Sequence, residues 1–317
     1  MSHGPVPWIP LAVLCGVAAS VHDTGVAAST QRSRFSVSVD TVSVAVTVLD
    51  DKERIIAGLP RENFRIFEDG VEQQVEFFSR DELPLKMVIL LDTSTSMRAK
   101  LALAQQAAVD FVGTLKPDDE VQVVEFNERV LTLVEFTSDF DRVIEAIQQT
   151  KLAGATSLYN AIYISLKDLE AQSESELDRR AIIVLSDGND TNSRLVFEDV
   201  RQQARKSNVI IYAISLRASE SDLKKDKYRN AKYELDMLAR ETGGVSYAPE
   251  KIGDLSDVYD EIASELKGQY TLSYISTNPE QDGSWRQLQI LSAREGSQIR
   301  AREGYYAPKA RRTPRSP

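Results

Sequence analysis

The chain has 317 residues, 42% of them hydrophobic and 27% charged, with a formal net charge of −10. That apolar fraction suits one large domain plus a smaller one and argues against a disordered chain. The acidic balance, with no concentrated basic patch in the body of the sequence, argues against a nucleic-acid surface and suits cation binding. The two histidines are His3 and His22 and the one cysteine is Cys15. Histidine-bound zinc, a Ser-His-Asp triad and a disulfide framework therefore have no support in the rest of the chain.

At the N-terminus, Trp8 to Ser20 (WIPLAVLCGVAAS) is apolar but too short to cross a bilayer as a helix. It reads as the core of a secretory signal, with small residues for cleavage around Ala18–Ser20 or Ala27–Ser29, although no Lys or Arg precedes it. Residues 1–29 are expected to direct export to the periplasm or the extracellular space, leaving no membrane-spanning segment in the mature chain. Lipid anchoring at Cys15 is not expected, because Leu14 is large where a lipobox wants Gly or Ala.

From Phe35 the pattern alternates. Val42, Val44, Val46 and Val48 share one face and Ser43, Ala45 and Thr47 the other, which predicts a half-buried strand. Val37 and Val39 are out of phase with that set, suggesting a bulge or a separate strand near Asp40–Thr41. A strand near Arg54–Ala57 and a hairpin of FRIF (64–67) with VEQQVEFF (71–78) complete a 35–82 segment too small to stand securely alone.

Between 85 and 267 the rhythm changes to strands alternating with helices. KMVILLD (86–92), VQVVEF (121–126), AIIVLSD (181–187) and VIIYAISL (209–216) are apolar strands, and VLTLVEF (130–136) forms a hairpin with the second. Helical periodicity covers 98–115, 139–150, 157–170, 197–206, 231–242 and 254–267, with a stop signal at Gly243–Gly244. The pattern predicts a doubly wound, Rossmann-like α/β domain whose mostly parallel sheet has one antiparallel edge. From 268 to 308 alternation returns in YTLSYIS (270–276), WRQLQILS (285–292) and SQIRARE (297–303). The two flanks are expected to form one small β-sandwich carrying the α/β domain as an insertion, with 309–317 a solvated basic tail.

Two of the apolar strands end in aspartate, Asp92 and Asp187, and parallel strands can deliver both carboxylates to one sheet edge, where open α/β sheets place their sites. After Asp92 come Thr93, Ser94, Thr95 and Ser96. GATSLYNA (154–161) places Thr156 in a tight loop just ahead of a helix. Two carboxylates with the hydroxyls of Ser94, Ser96 and Thr156 form an all-oxygen set suited to Mg²⁺ or Mn²⁺, and six-coordination leaves room for water or an incoming carboxylate. A capped helix start would also explain Asp92, Ser94 and Ser96 taken alone.

Asp92-Thr93-Ser94-Thr95-Ser96 resembles the Asp-x-Ser-x-Ser signature of von Willebrand factor type A domains. Thr156 resembles the separate threonine of their metal-ion-dependent adhesion site, and Asp187-Gly188 the later aspartate-glycine. The resemblance spans about 85–267. It implies direct metal contacts from Ser94 and Ser96, a direct or conditional one from Thr156, and direct or water-mediated roles for Asp92 and Asp187. Thr95 stands where Gly is frequent, a change that stiffens the loop and removes no ligand. Gly188, Asn189 and Asp190 are expected beside the site, in its supporting layer or its rim. The flanks, FRIFEDGVEQQVEFFS and GQYTLSYIS with IRAREGYYAP, resemble those of secreted bacterial proteins related to this domain.

The function these observations imply is a non-enzymatic, metal-dependent protein-binding or adhesion module, whose partner is a protein presenting Asp or Glu to the cation. The alternative is a structural or assembly component of the cell envelope in which the metal mainly stabilises the fold. A phosphatase would need a second Asp where Ser94 stands. An EF-hand reading of Asp187, Asn189, Thr191 and Glu198 lacks its glycine, because Asn192 holds that place.

Overall fold

The computed structural model describes residues 41–80, 83–187, 190–216 and 226–309. The expected signal segment, Cys15, Val37 and Val39, Gly188, Asn189 and the basic tail beyond Lys309 lie outside the described residues. A six-stranded sheet forms the centre. Its strands are β5 (Leu85–Asp92), β6 (Glu120–Phe126), β7 (Val130–Thr137), β8 (Arg179–Ser186), β9 (Ile210–Ser215) and β10 (Ser246–Tyr247). The order is β10-β9-β8-β5-β6-β7, parallel except for the β6–β7 hairpin at one edge.

The central strands read as unbroken apolar runs because both faces of the sheet are covered. Met87, Ile89, Leu91, Ala181, Ile183 and Leu185 point to one face, where α1 (Leu101–Val112), α2 (Phe140–Gln149) and α6 (Leu255–Gly268) pack. Val88, Leu90, Ile182 and Val184 point to the other, against α3 (Leu158–Ala171), α4 (Phe197–Lys206) and α5 (Asp226–Thr242). The chain leaves β5 toward β6 on one side and later returns to β8 on the other. The loops after β5 and β8 therefore flank the point where strand order reverses, the crevice in which such sheets bind ligands.

The flanking strands are β1 (Thr41–Leu49), β2 (Phe64–Glu68), β3 (Val71–Gln73), β4 (Val75–Arg80), β11 (Tyr270–Ile275), β12 (Trp285–Ser292), β13 (Gln298–Ala301) and β14 (Gly304–Tyr306). They form two sheets, β13-β1-β11-β4 and β14-β12-β2-β3, each drawing strands from both ends of the chain. A shared core of Val44, Val46, Phe64, Ile66, Leu272, Tyr274 and Ile290 joins them. Neither end could bury its apolar face without the other.

Several expectations need correction. β1 is buried on both faces, with Ser43 and Thr47 as covered as the valines. Its second face meets the α/β unit, where Ala45 packs on that core and Thr47 Oγ1 donates to Glu265 Oε1 of α6 at 3.2 Å. Residues 54–57 form no strand and contribute one bridge, Leu49 to Ile55. VEQQVEFF is two strands in different sheets, because the chain crosses from one sheet to the other between Gln73 and Val75. There the buried Gln73 amide exchanges hydrogen bonds with Thr277. The first helix starts at Leu101, after a 3-10 turn over Thr95–Ala99.

The two parts meet at polar joints as well as apolar ones. Glu265 accepts from Thr47, from Tyr212 Oη at 3.0 Å and from the Arg300 guanidinium of β13. Arg205 of α4 pairs with Glu241 of α5 at 2.9 Å and lies 5.0 Å over the Trp285 ring of β12. Gly243, at φ 85°, ends α5 in the left-handed conformation that favours glycine.

Candidate metal centre

β5 and β8 run parallel with Leu91 opposite Leu185, so Asp92 and Ser186 stand side by side at the carboxyl edge of the sheet and Asp187 follows. Ser186 Oγ donates to Asp92 Oδ2 at 2.6 Å, and the Ser94 N–H donates to Asp92 Oδ1 at 2.8 Å. Asp92 is fully buried. Burial pushes its carboxyl pKa up, the bonds from Ser186 and Ser94 oppose the rise, and the nearby Asp187 charge adds to it.

Beyond Asp92, Ser94 is extended (φ −63°, ψ 162°) and the 3-10 turn that follows folds Ser96 back. The Ser94 and Ser96 hydroxyl oxygens lie 2.9 Å apart, and Ser96 Oγ donates to Asp187 Oδ1 at 2.7 Å. Asp92, Ser94, Ser96 and Asp187 thus form one hydrogen-bonded row between the ends of two strands. The other Asp187 oxygen, Oδ2, receives the Lys100 ammonium at 2.6 Å.

Thr156 is buried in the adjoining loop, held by backbone bonds from both sides. Its N–H donates to Thr191 Oγ1 at 3.0 Å and its carbonyl accepts from the Thr191 N–H at 2.9 Å. The loop is laced to the Asp92 segment by Ala153 N–H to the Thr93 carbonyl at 2.8 Å and by Thr95. Both the N–H and the hydroxyl of Thr95 donate to the Gly154 carbonyl, at 3.2 and 3.0 Å. Gly154 itself is left-handed, at φ 52°.

The donor chemistry fits a hard cation: carboxylate and hydroxyl oxygens converge, and a positive group already sits on the Asp187 carboxylate. Among the described residues, no cluster of three or more His, Cys, Asp or Glu is placed to hold a metal. Any cation held here would depend on the hydroxyls, so its charge would be balanced by only two carboxylates.

A strand-end carboxylate pair bridged through Ser-x-Ser therefore stands at the sheet's switch point. Residues 87–189 match the family model of the von Willebrand factor type A domain. A UPF0353 protein of Mycolicibacterium paratuberculosis is 26% identical over 226 residues, covering 65% of this chain and 67% of that protein. An uncharacterized protein of Borreliella burgdorferi is 28% identical over 184 residues, covering 51% of this chain and 53% of that one. The chain thus spans about half the length of the Borreliella relative. The solved structure of a von Willebrand factor type A protein from Catenulispora acidiphila shares the fold, with a TM-score of 0.51 at 12% identity over 88% of this chain and 76% of that one.

Within this α/β unit, sequence reasoning missed two residues that touch the carboxylates. Ser186 carries no signal beyond its place before Asp187, because only strand register sets it against Asp92. Lys100 could have been noticed as a cation one helical turn beyond Ser96. Asp190 does not join the row. Its carboxylate receives the Tyr159 N–H at 2.9 Å and the Ser193 N–H at 2.9 Å, fixing the start of α3 and the loop after β8. Glu198 pairs with Arg201 in α4, one turn along that helix.

Proposed function

We propose that the protein is an exported, metal-dependent protein-binding module. Ser94, Ser96 and Thr156 with Asp92 and Asp187 would hold Mg²⁺ or Mn²⁺, and a partner protein would present Asp or Glu to it. The observation that carries this reading is the row Asp92–Ser94–Ser96–Asp187, in which two buried carboxylates are joined through the Ser94 N–H and the Ser94 and Ser96 hydroxyls at the sheet's switch point. When bound, the cation supplies Lewis acidity toward one more oxygen ligand.

The chain's own residues hold the frame in which that recognition would occur. Ser186 and the Ser94 N–H fix the Asp92 carboxylate, and Thr95 pins the hydroxyl turn to the Thr156 loop. The half-exposed Tyr159 reaches Glu234 of α5 at 2.5 Å and packs 6.3 Å from Phe197, making an aromatic rim beside the loop. No catalytic residue is assigned in this reading. The α/β unit, 85–267, would be the binding domain, and the two flanks, 35–82 and 268–308, its support.

The test is Mn²⁺ titration of the full chain beside Asp92→Ala. Binding by the wild type that is lost in the folded variant is expected, and equal affinity in both would overturn the assignment. Partner capture from envelope and secreted fractions, with Mg²⁺ and with EDTA, then separates adhesion from a purely stabilising metal. The stabilising reading draws on the way Asp92 ties β5 to β8 through Ser186, and it expects capture to be lost only together with the fold.

A further inference from the structure

Lys100 stands where the dipole of its own helix would not put a cation. It immediately precedes α1, whose first turn carries no acidic residue, and the positive end of a helix disfavours a neighbouring ammonium. What holds it is Asp187. The Lys100 Nζ lies 2.6 Å from Oδ2, in an ion pair whose carboxylate side chain is fully buried and whose lysine side chain is 12% exposed.

Resting on the metal reading above, we propose that Lys100 and the divalent cation compete for the Asp187 carboxylate, so that cation entry expels the lysine to the rim and Lys100 sets the affinity of the site. Charge decides the matter. Asp92 and Asp187 contribute −2 and Lys100 +1, leaving −1. A divalent ion added with the lysine in place makes the buried cluster +1, and with the lysine released it makes zero. Like charges confined within a few ångströms in a water-poor pocket repel far more than the same charges in solvent. The lysine has a flexible four-carbon stem and a strongly hydrated head, so release to water is the cheap response. Asp187 Oδ1 accepts from Ser96 and Oδ2 from Lys100, so a cation drawn to this carboxylate would have to share it with the lysine.

The experiment uses the full chain in two measurements. In the first, Mn²⁺ is titrated by calorimetry into the wild type, Lys100→Met, Lys100→Arg and Asp92→Ala, with circular dichroism confirming that each is folded. Lys100→Met is expected to bind about tenfold to a hundredfold more tightly than the wild type, the range of coupling between competing sites, and Lys100→Arg to stay near it. In the second, wild-type amines are acetylated under limiting reagent with Mn²⁺ or with EDTA and quantified by mass spectrometry. Lys100 modification should rise several-fold with Mn²⁺ while Lys167, 47% exposed on α3, stays constant.

Equal or weaker Mn²⁺ affinity in Lys100→Met, or Lys100 acetylation that ignores Mn²⁺, overturns the lysine proposal. If Asp92→Ala still abolishes binding in that case, the metal site itself stands. Absence of Mn²⁺ binding in every variant overturns both. Binding by Lys100→Met in the face of none by the wild type supports both, as an extreme of the competition.

Discussion

Replacing Glu265 with alanine tests whether the sandwich and the α/β unit are held together by one buried carboxylate. Glu265 is 2% exposed and accepts hydrogen bonds from Thr47 of β1, Tyr212 of β9 and Arg300 of β13. Alanine removes the acceptor of all three bonds at once. Tyr212 and Thr47 are themselves buried, so their hydroxyls lose partners where water does not readily replace them, at about 1–3 kcal/mol for a stranded buried group. Arg300 has a side chain 27% exposed and can partly resolvate, so its contribution is smaller. The sum is about 3–5 kcal/mol, the range found when one member of a buried ion pair is deleted.

Urea unfolding, followed both by tryptophan fluorescence and by far-ultraviolet circular dichroism, is the assay. With a slope of about 1–3 kcal/mol per molar urea, the midpoint should fall by at least 1 M. Glu265→Gln retains the volume and an acceptor oxygen for Thr47 and Tyr212 and should cost about 1–2 kcal/mol. A shift below about 1 kcal/mol for alanine, with both probes coincident, would show that apolar packing alone joins the two parts.

The same carboxyl gives a pH signature. Burial raises the folded pKa of Glu265 above 4.5, against the pull of Arg300, Tyr212 and Thr47. Between the unfolded and folded values the native state binds the extra proton, so this group's contribution to stability falls as pH rises through that window, and Glu265→Gln should flatten that slope. Gly244→Ala would place a methyl 2.1 Å from the Ile211 carbonyl oxygen and should lower stability by about 1–3 kcal/mol, while Gly253→Ala, with no atom within 4 Å, should be close to neutral in the same thermal melt. Thr95→Gly removes the hydroxyl bond to Gly154 and frees the turn. It is expected to cost about 1 kcal/mol and to weaken Mn²⁺ binding modestly, and unchanged binding would show that turn rigidity is irrelevant to the site.

The apolar runs ending in Asp92 and Asp187, the helical stripes between them and the alternating flanks were sufficient to read a doubly wound sheet with a split sandwich. Each of these is a local pattern imposed by covering one or both faces of an element, so each is written in residue spacing. The carboxylates and hydroxyls of the candidate site could be recognised for the same reason, since Asp92, Ser94 and Ser96 sit within one turn and only Thr156 and Asp187 are remote.

Long-range register and the joint between the two parts were decided by tertiary structure. Alternation in β1 suggested one wet face, because nothing local reveals that α6 and β9 cover it. The continuous run 71–78 concealed a change of sheet at Gln74, since side-chain parity does not record which partner strand a residue pairs with. Ser186 meets Asp92 only through the parallel register of β5 and β8, and Lys100 reaches Asp187 only because the strand that leads into that aspartate returns beside β5. Pair contacts between distant segments depend on how elements are placed, and a linear pattern encodes the faces of those elements without their neighbours.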